Sequence, residues 1–500
     1  MSLFPTHLLL LPLIIPLTGA AIALLLRKVR PVQEYWTLGT MVTSLLASLW
    51  LLFTVQGQGE PLAFQLGGWN APFGISLVAD LLAALFVVMV QLVMVLGLVY
   101  ALGSRDKVVQ YPFFYPLFLT LAVGLTGTML TGDLFNLFVF AELLVISGTV
   151  LTAMADDRFG VEAAFKYFYM SLLASFFLLL SVGSMYVSYG TLNMADLARQ
   201  ITAADSPGLL LWPGIVFLLA TFMVKSAVFP FHFWQPDFHT AAPTAVSAML
   251  SSVVVKLGVY GFIRMTTLLF VAQAPIFRPV LIVLGIAGII YGGLAALGTH
   301  NVKRMLAYST LAQVGFILVG IGWGSTLAIA AALVFAFNHS LIKAAMLMLA
   351  GYVASRAAIK SAAFQVVTGM GKALPAAGIL FFLGGLALSG IPPTSGFVSK
   401  ALLFNSGIVG EEFMVLLVIG LASILTLLYV MRAFQRIWWL APQEGAKAKP
   451  AGDRLLAPLI LIALVVVLGI WAAPLVDVAQ EAAQWLAQPD IYIQAVFPGG

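Results

Sequence analysis

The chain reads as a succession of long apolar runs joined by short polar connections. Runs of about 20 residues, the length that crosses ~30 Å of hydrocarbon as a helix, fall near 7–26, 36–54, 76–101, 112–130, 133–154, 162–190, 208–229, 243–264, 280–298, 303–322, 325–350, 374–406, 411–432 and 454–474. This pattern predicts an all-α polytopic membrane protein of about fourteen transmembrane helices, because only structures that satisfy their own backbone survive in lipid. The stretch Met1 to Leu26 starts like a signal peptide. Its apolar run is long, however, the basic residues follow it, and no A-x-A site precedes them, so it is expected to stay as the first helix. The only sizeable polar stretch is Pro442 to Arg454, and residues 1–500 read as a single integral membrane domain.

Composition sharpens this reading. The 500 residues are 62% hydrophobic and 9% charged, with a mean hydropathy of +1.07, and the absence of cysteine excludes disulfides, thiolate metal sites and a cysteine nucleophile. Most of the 24 lysines and arginines fall in alternate loops, among them Arg27, Lys28, Arg105, Lys107, Lys303, Arg304, Arg356, Lys360 and Lys447. The opposite loops hold Glu60, Asp205, Glu411 and Glu412 with few cations. Positive residues favour the cytoplasm, so both termini are expected outside it. The basic pI of about 9.3 follows from this dispersed bias, not from a nucleic-acid patch.

Five lysines, Lys166, Lys225, Lys256, Lys343 and Lys400, lie inside the predicted helices instead. A charge at a membrane helix centre costs roughly 2.5–3.5 kcal/mol on insertion scales, so function is the default reading. Lys166 follows a polar loop closely enough to snorkel or to form a fixed ion pair. Glu142 lies mid-helix in LTGDLFNLFVFAELLVISG, about two and a half turns beyond Asp133 at the membrane surface. A carboxylate and an ammonium in one desolvated site oppose burial with mutual attraction, which lets small changes move a proton. Glu142 is therefore expected to pair with Lys225. Asp80, near the outer end of the third helix, reads as a half-exposed interface or fold-stabilising carboxylate.

Two helices carry breakers. The seventh runs into KSAVFPFHFWQPDFHTAAPT, with Pro230 and Pro236 after Lys225, and the twelfth contains LSGIPPTSGFVSK, with Gly390, Pro392, Pro393 and Gly396 before Lys400. Interruptions five helices apart predict an inverted repeat, residues 112–264 (helices 4–8) against 280–432 (helices 9–13), with ion sites beside unwound backbone. His339 and Lys343 share one helix face at i, i+4 and can exchange a proton. His232 and His239 flank the proline-rich break with Asp237 between them. Without a third ligand they fit a wet funnel for proton uptake better than a metal site. No P-loop or dinucleotide fingerprint and no facing haem histidines are present, so neither cofactor nor metal is expected.

The segments EAAFKYF from Glu162, FMVKSAVFPFHFWQPDFHTAAPTAVSAMLSSVVVKLGVYGFIR from Phe222, NVKRMLAYSTLAQVGF from Asn301, HSLIKAAMLMLAG from His339 and LSGIPPTSGFVSK from Leu388 resemble, nearly end to end, a known family. It is the proton-translocating antiporter-like family shared by Mrp-type multisubunit cation/proton antiporters and the membrane arm of respiratory complex I. The resemblance implies two inverted five-helix repeats, broken helices 7 and 12, and a relay in which Glu142 and Lys225 switch charge, Lys256, His339 and Lys343 connect, and Lys400 is the terminal lysine. GDLFNLFVFAELL and the ending WLAQPDIYIQAV are similar to the form found in the D-type subunits of Mrp antiporters. That form implies Na⁺/H⁺ exchange driven by proton-motive force, other membrane subunits as partners, and a bacterial-type plasma membrane; the alternative is a subunit of a redox-driven complex. Ala141 stands where the family pattern leads one to expect an aromatic residue, and His300 where it leads one to expect an acid.

Overall fold

The computed structural model describes residues 4–498 except 156, 205 and 443–447; Asp205 and Lys447 of the charge asymmetry lie outside the described residues. The apolar runs become helices in the expected order: α1 (Leu11–Lys28), α2 (Arg30–Gln58), α3 (Leu81–Leu102), α4 (Phe114–Leu130), α5 (Leu134–Ala153), α6 (Arg158–Tyr189) and α7 (Leu211–Lys225). The second half continues with α8 (Thr244–Leu269), α9 (Ala274–Gly298), α10 (Val302–Trp323), α11 (Thr326–Ser355), α12 (Pro375–Ser389), α13 (Phe413–Trp439) and α14 (Leu456–Ile470). Among the described residues, 10 of these pass as unbroken crossings by length and hydropathy, while α4, α7 and α12 are shorter apolar helices. The helix α14 turns by 74° into Ala473–Leu486.

Among the described residues, one short two-stranded sheet departs from the all-α expectation. Residues 76–79, read as the start of the third helix, form β2 (Ser76–Ala79), antiparallel to β1 (Leu62–Gln65) with Leu62 opposite Ala79. The strand is apolar and runs straight into the helix, so the pattern hides the boundary that Asp80 marks. Its carboxylate accepts from the Ala83 N–H at 2.9 Å and caps α3. Asp133, Asn301 and Ser325 cap α5, α10 and α11 in the same way.

Burial sorts the helices. The apolar window of α8 is 100% buried and those of α10 and α11 are 94% buried, whereas α1, α6, α9 and α13 lie between 28% and 39%. A helix apolar on every side and buried on every side is a core helix. Helices α8, α10 and α11 thus form the centre, and the expected Lys256, His339 and Lys343 lie within it.

Both breaks are present. After Lys225 the chain turns through Ala227, with φ of 52°, and the cis Phe229–Pro230 bond before a short helix, Trp234–Ala241. After Ser389 it turns through Gly390, with φ of 79°, and the cis Pro392–Pro393 bond before the helix Ser395–Val409. Gly390 supplies the left-handed conformation that a side chain disfavours. A Cβ on Gly396 would collide with the Ala387 carbonyl, so the two halves of the twelfth segment approach at backbone contact.

Candidate functional site

The centre of the site is a contact between two of the most buried helices. Lys256 of α8 is 0% exposed, His339 of α11 is 2% exposed, and Lys256 Nζ lies 2.6 Å from His339 Nδ1. Either nitrogen can donate, so one proton has two homes at this contact. Lys343, one turn further along α11, is fully buried and donates from Nζ to the Leu306 carbonyl of α10 at 2.6 Å. It makes no hydrogen bond to His339. The two share a helix face as the spacing predicts, but they turn to different partners.

Lys400 lies on the second half of the broken twelfth segment. Its Nζ donates to the Ser389 carbonyl at 3.0 Å, the end of α12, and stands 4.9 Å from the Phe316 ring centroid. A cation at a helix C-terminus meets the carbonyls that the break leaves free. Between His339 and Lys400 lies a cavity of about 10 Å³ lined also by Gln313 and Ser399, roughly the room one water requires. His339 Nε2 and Gln313 Nε2, both buried, have no hydrogen-bond partner. Asn338 Nδ2 donates to Ser399 Oγ at 2.9 Å and completes a polar wall around this point.

The expected Glu142–Lys225 ion pair is not formed. Glu142, partly exposed on α5, instead takes a hydrogen bond from the Ser175 hydroxyl of α6. Lys225 Nζ is buried at the end of α7 without a partner. Helix α6 packs against both α5 and α7, which places the two charges near one another without contact. The sequence spacing locates each residue on its helix but carries no information on how α5 and α7 are rotated.

The other candidates separate by role. His232 stacks on Phe229, with centroids 5.6 Å apart, and meets the Tyr291 ring at 4.6 Å. His239 is 0% exposed with both ring nitrogens unpartnered. Among the described residues no group of three or more His, Asp or Glu side chains gathers as a metal site would require. Asp237 bonds Lys166 at 2.8 Å and Arg304 at 2.7 Å. Lys166 is therefore a surface ion-pair residue, half exposed and also held by Glu162 at 2.7 Å. Outside the crossing helices, burial alone would raise the Asp237 carboxyl, but Lys166 and Arg304 outweigh it and hold it below its ordinary value. Asp133 is the partly buried cap of α5. Asp80 is not half exposed: it is 4% exposed and gripped by the two Arg264 nitrogens at 2.6 and 2.7 Å.

Sequence reasoning missed three residues of this polar interior. Lys303, counted with the loops, is buried and donates to the Ala242 carbonyl at 3.3 Å. The signal was available: a cation in the first turn of a helix faces the positive end of the dipole and needs another reason to be there. Gln313 and Asn338 are polar residues inside apolar runs, and only their burial in the core sets them apart from tolerated polar positions.

These features define a many-helix membrane protein with a row of buried lysines and histidine through its centre and broken helices beside the ends of that row. Residues 131–426 match the family described as NADH:quinone oxidoreductase/Mrp antiporter, TM. Over 98% of its length and 99% of the relative's, the chain is 32% identical to the D-type subunit of the Na(+)/H(+) antiporter of Alkalihalophilus pseudofirmus. Over 96% of its length and 99% of the relative's, it is 35% identical to the N-type subunit of the NADH-quinone oxidoreductase of Desulforudis audaxviator. It superposes with a TM-score of 0.91 on a chain of the Mrp complex from Dietzia, at 24% identity, covering 99% of this chain and 100% of that one. The chain belongs to the NADH:quinone oxidoreductase/Mrp antiporter family of membrane subunits.

Proposed function

We propose that this chain is the proton-translocating subunit of a multisubunit Na⁺/H⁺ antiporter driven by proton-motive force. The observation that carries the reading is the buried Lys256–His339 contact with its one-water cavity toward Lys400, in a chain similar along its length to the D-type subunit of an antiporter. Ionisable groups this deep are costly to place in a membrane, so their presence points to function. Protons taken up near His239 and Lys256 pass through His339 and Lys343, with Glu142 and Lys225 as the switching charges and Lys400 as the terminal lysine. Other membrane subunits complete the assembly and the Na⁺ path. The two breaks at corresponding places support inverted repeats over 112–264 and 280–432, and the basic loops support both termini lying outside the cytoplasm of a bacterial-type plasma membrane.

A second reading, a subunit of a redox-driven complex, is favoured by the identity to the N-type oxidoreductase subunit. Purifying the native assembly through a tag on this chain separates the two. The antiporter reading expects membrane subunits alone and no flavin or iron–sulfur absorbance; copurification of flavin- or iron–sulfur-containing chains overturns it.

A further inference from the structure

On the side of the basic loops, a cavity of about 790 Å³ opens between the ends of α3, α5, α8, α10 and α11. Its lining includes Ala241, Ala242 and Thr244, where the broken seventh segment passes into α8, and the buried Lys303. Across it run two connections that face each other, one carrying Arg105 and Asp106, the other Lys360. Lys360 Nζ reaches Asp106 Oδ2 at 2.6 Å, with side chains 51% and 16% exposed.

A third segment fixes these connections. The carboxylate of Asp453, 2% exposed, accepts from Tyr100 Oη at 2.6 Å, Ser104 Oγ at 3.1 Å and the Arg105 N–H at 3.0 Å. Its own N–H donates to Ser355 Oγ at 3.0 Å, and its carbonyl accepts from the Arg356 guanidinium at 3.0 Å. The Lys449 N–H adds a bond to the Arg356 carbonyl at 2.8 Å. One buried aspartate thus ties the end of α3 to the end of α11, and a buried carboxylate saturated by donors is rigid where an exposed ion pair is not.

We propose that this cavity is the aqueous vestibule serving proton uptake, that the Asp106–Lys360 ion pair is the gate across it, and that Asp453 is the positioning residue that holds the gate's two sides in register. The proposal rests on the proton-path reading for its purpose, but the gate itself is testable without transport. The chain contains no cysteine, so Ala241→Cys gives it a single thiol on the vestibule wall. In the assembled complex, the rate at which a water-soluble maleimide labels that thiol reports access.

Removing an exposed ion pair in Lys360→Ala should raise the rate roughly two- to fivefold, the scale of such a pair, and high salt should raise it in the parent toward the same value. The charge exchange Asp106→Lys with Lys360→Asp should bring the rate back. Asp453→Asn should raise it as well; should that variant fail to assemble, the other two decide. Equal rates in all variants, or no labelling in any, overturn the gate or the vestibule respectively. Normal labelling behaviour with exchange that survives Lys256→Ala would instead count against the proton path and leave the gate standing.

Discussion

Asp80→Ala removes two things at once. The carboxylate caps α3 through the Ala83 N–H, worth about 1 kcal/mol, and it neutralises Arg264, 4% exposed in the fully buried α8. Leaving a buried partner uncompensated costs roughly 3–5 kcal/mol, so the substitution should destabilise the outer end of the core by about 4–6 kcal/mol. Arg264 keeps one neutral hydrogen bond, from Nε to the Tyr260 hydroxyl at 3.0 Å, and ring contacts to Tyr260 at 5.0 Å and to Tyr492 at 4.9 Å, but no counter-charge among the described residues. Tyr492 lies on the helix Pro489–Val496, so the C-terminal segment should loosen first. The assay is heat-induced loss of the monodisperse complex in detergent, with proteolysis of the C-terminal helix as a local probe. Most of the cost comes from the orphaned guanidinium, so Asp80→Ala with Arg264→Leu should recover stability lost in the single variant. A single variant as stable as the parent, or a double variant no better than the single, refutes the argument.

Other outcomes follow from the site. Glu142→Gln and Lys225→Ala should each abolish cation-dependent proton exchange while the complex still assembles, measured by antiport in vesicles alongside subunit stoichiometry; loss of assembly would make the residue structural. Gln313→Leu should slow exchange about five- to tenfold, the scale of one hydrogen bond withdrawn from the polar lining between His339 and Lys400; because its Nε2 has no partner in the resting structure, heat stability should stay nearly unchanged. Asp237, held below its ordinary value by Lys166 and Arg304 against burial, contributes stability that is present above the carboxylate's unfolded range and lost as the pH falls through its lower folded value. Asp237→Asn should therefore be less stable than the parent at neutral pH and converge with it on acidification, read by thermal denaturation across pH.

Much of the fold was legible because lipid leaves few solutions. A 20-residue apolar run must be a helix, and proline or a glycine–proline cluster must break one, so the crossings and both interruptions could be placed from the chain. The strand Ser76–Ala79 was not legible, since its apolar residues continue into α3 without a change of composition. The site divides along a similar line. Lys256, His339, Lys343 and Lys400 stand out as charges in apolar surroundings, and the structure places all four in the interior. What a sequence lacks is helix rotation and the long-range partner. This is why Glu142 meets Ser175 rather than Lys225, why Lys343 turns to Leu306, and why the grip of Arg264 on Asp80, 184 positions away in the chain, had no local signal. Asp453 falls within a polar stretch with the composition of a plain loop, and its burial depends on the meeting of α3 and α11.

The central claim is that this chain moves protons as part of a cation exchanger. The most direct measurement is the internal pH of proteoliposomes holding the native assembly, with an imposed proton gradient and then a pulse of Na⁺. The account predicts a Na⁺-dependent collapse of the gradient that Lys256→Ala eliminates. A gradient indifferent to Na⁺, but built when an electron donor and quinone are supplied, would contradict it and assign the chain to a redox-driven pump.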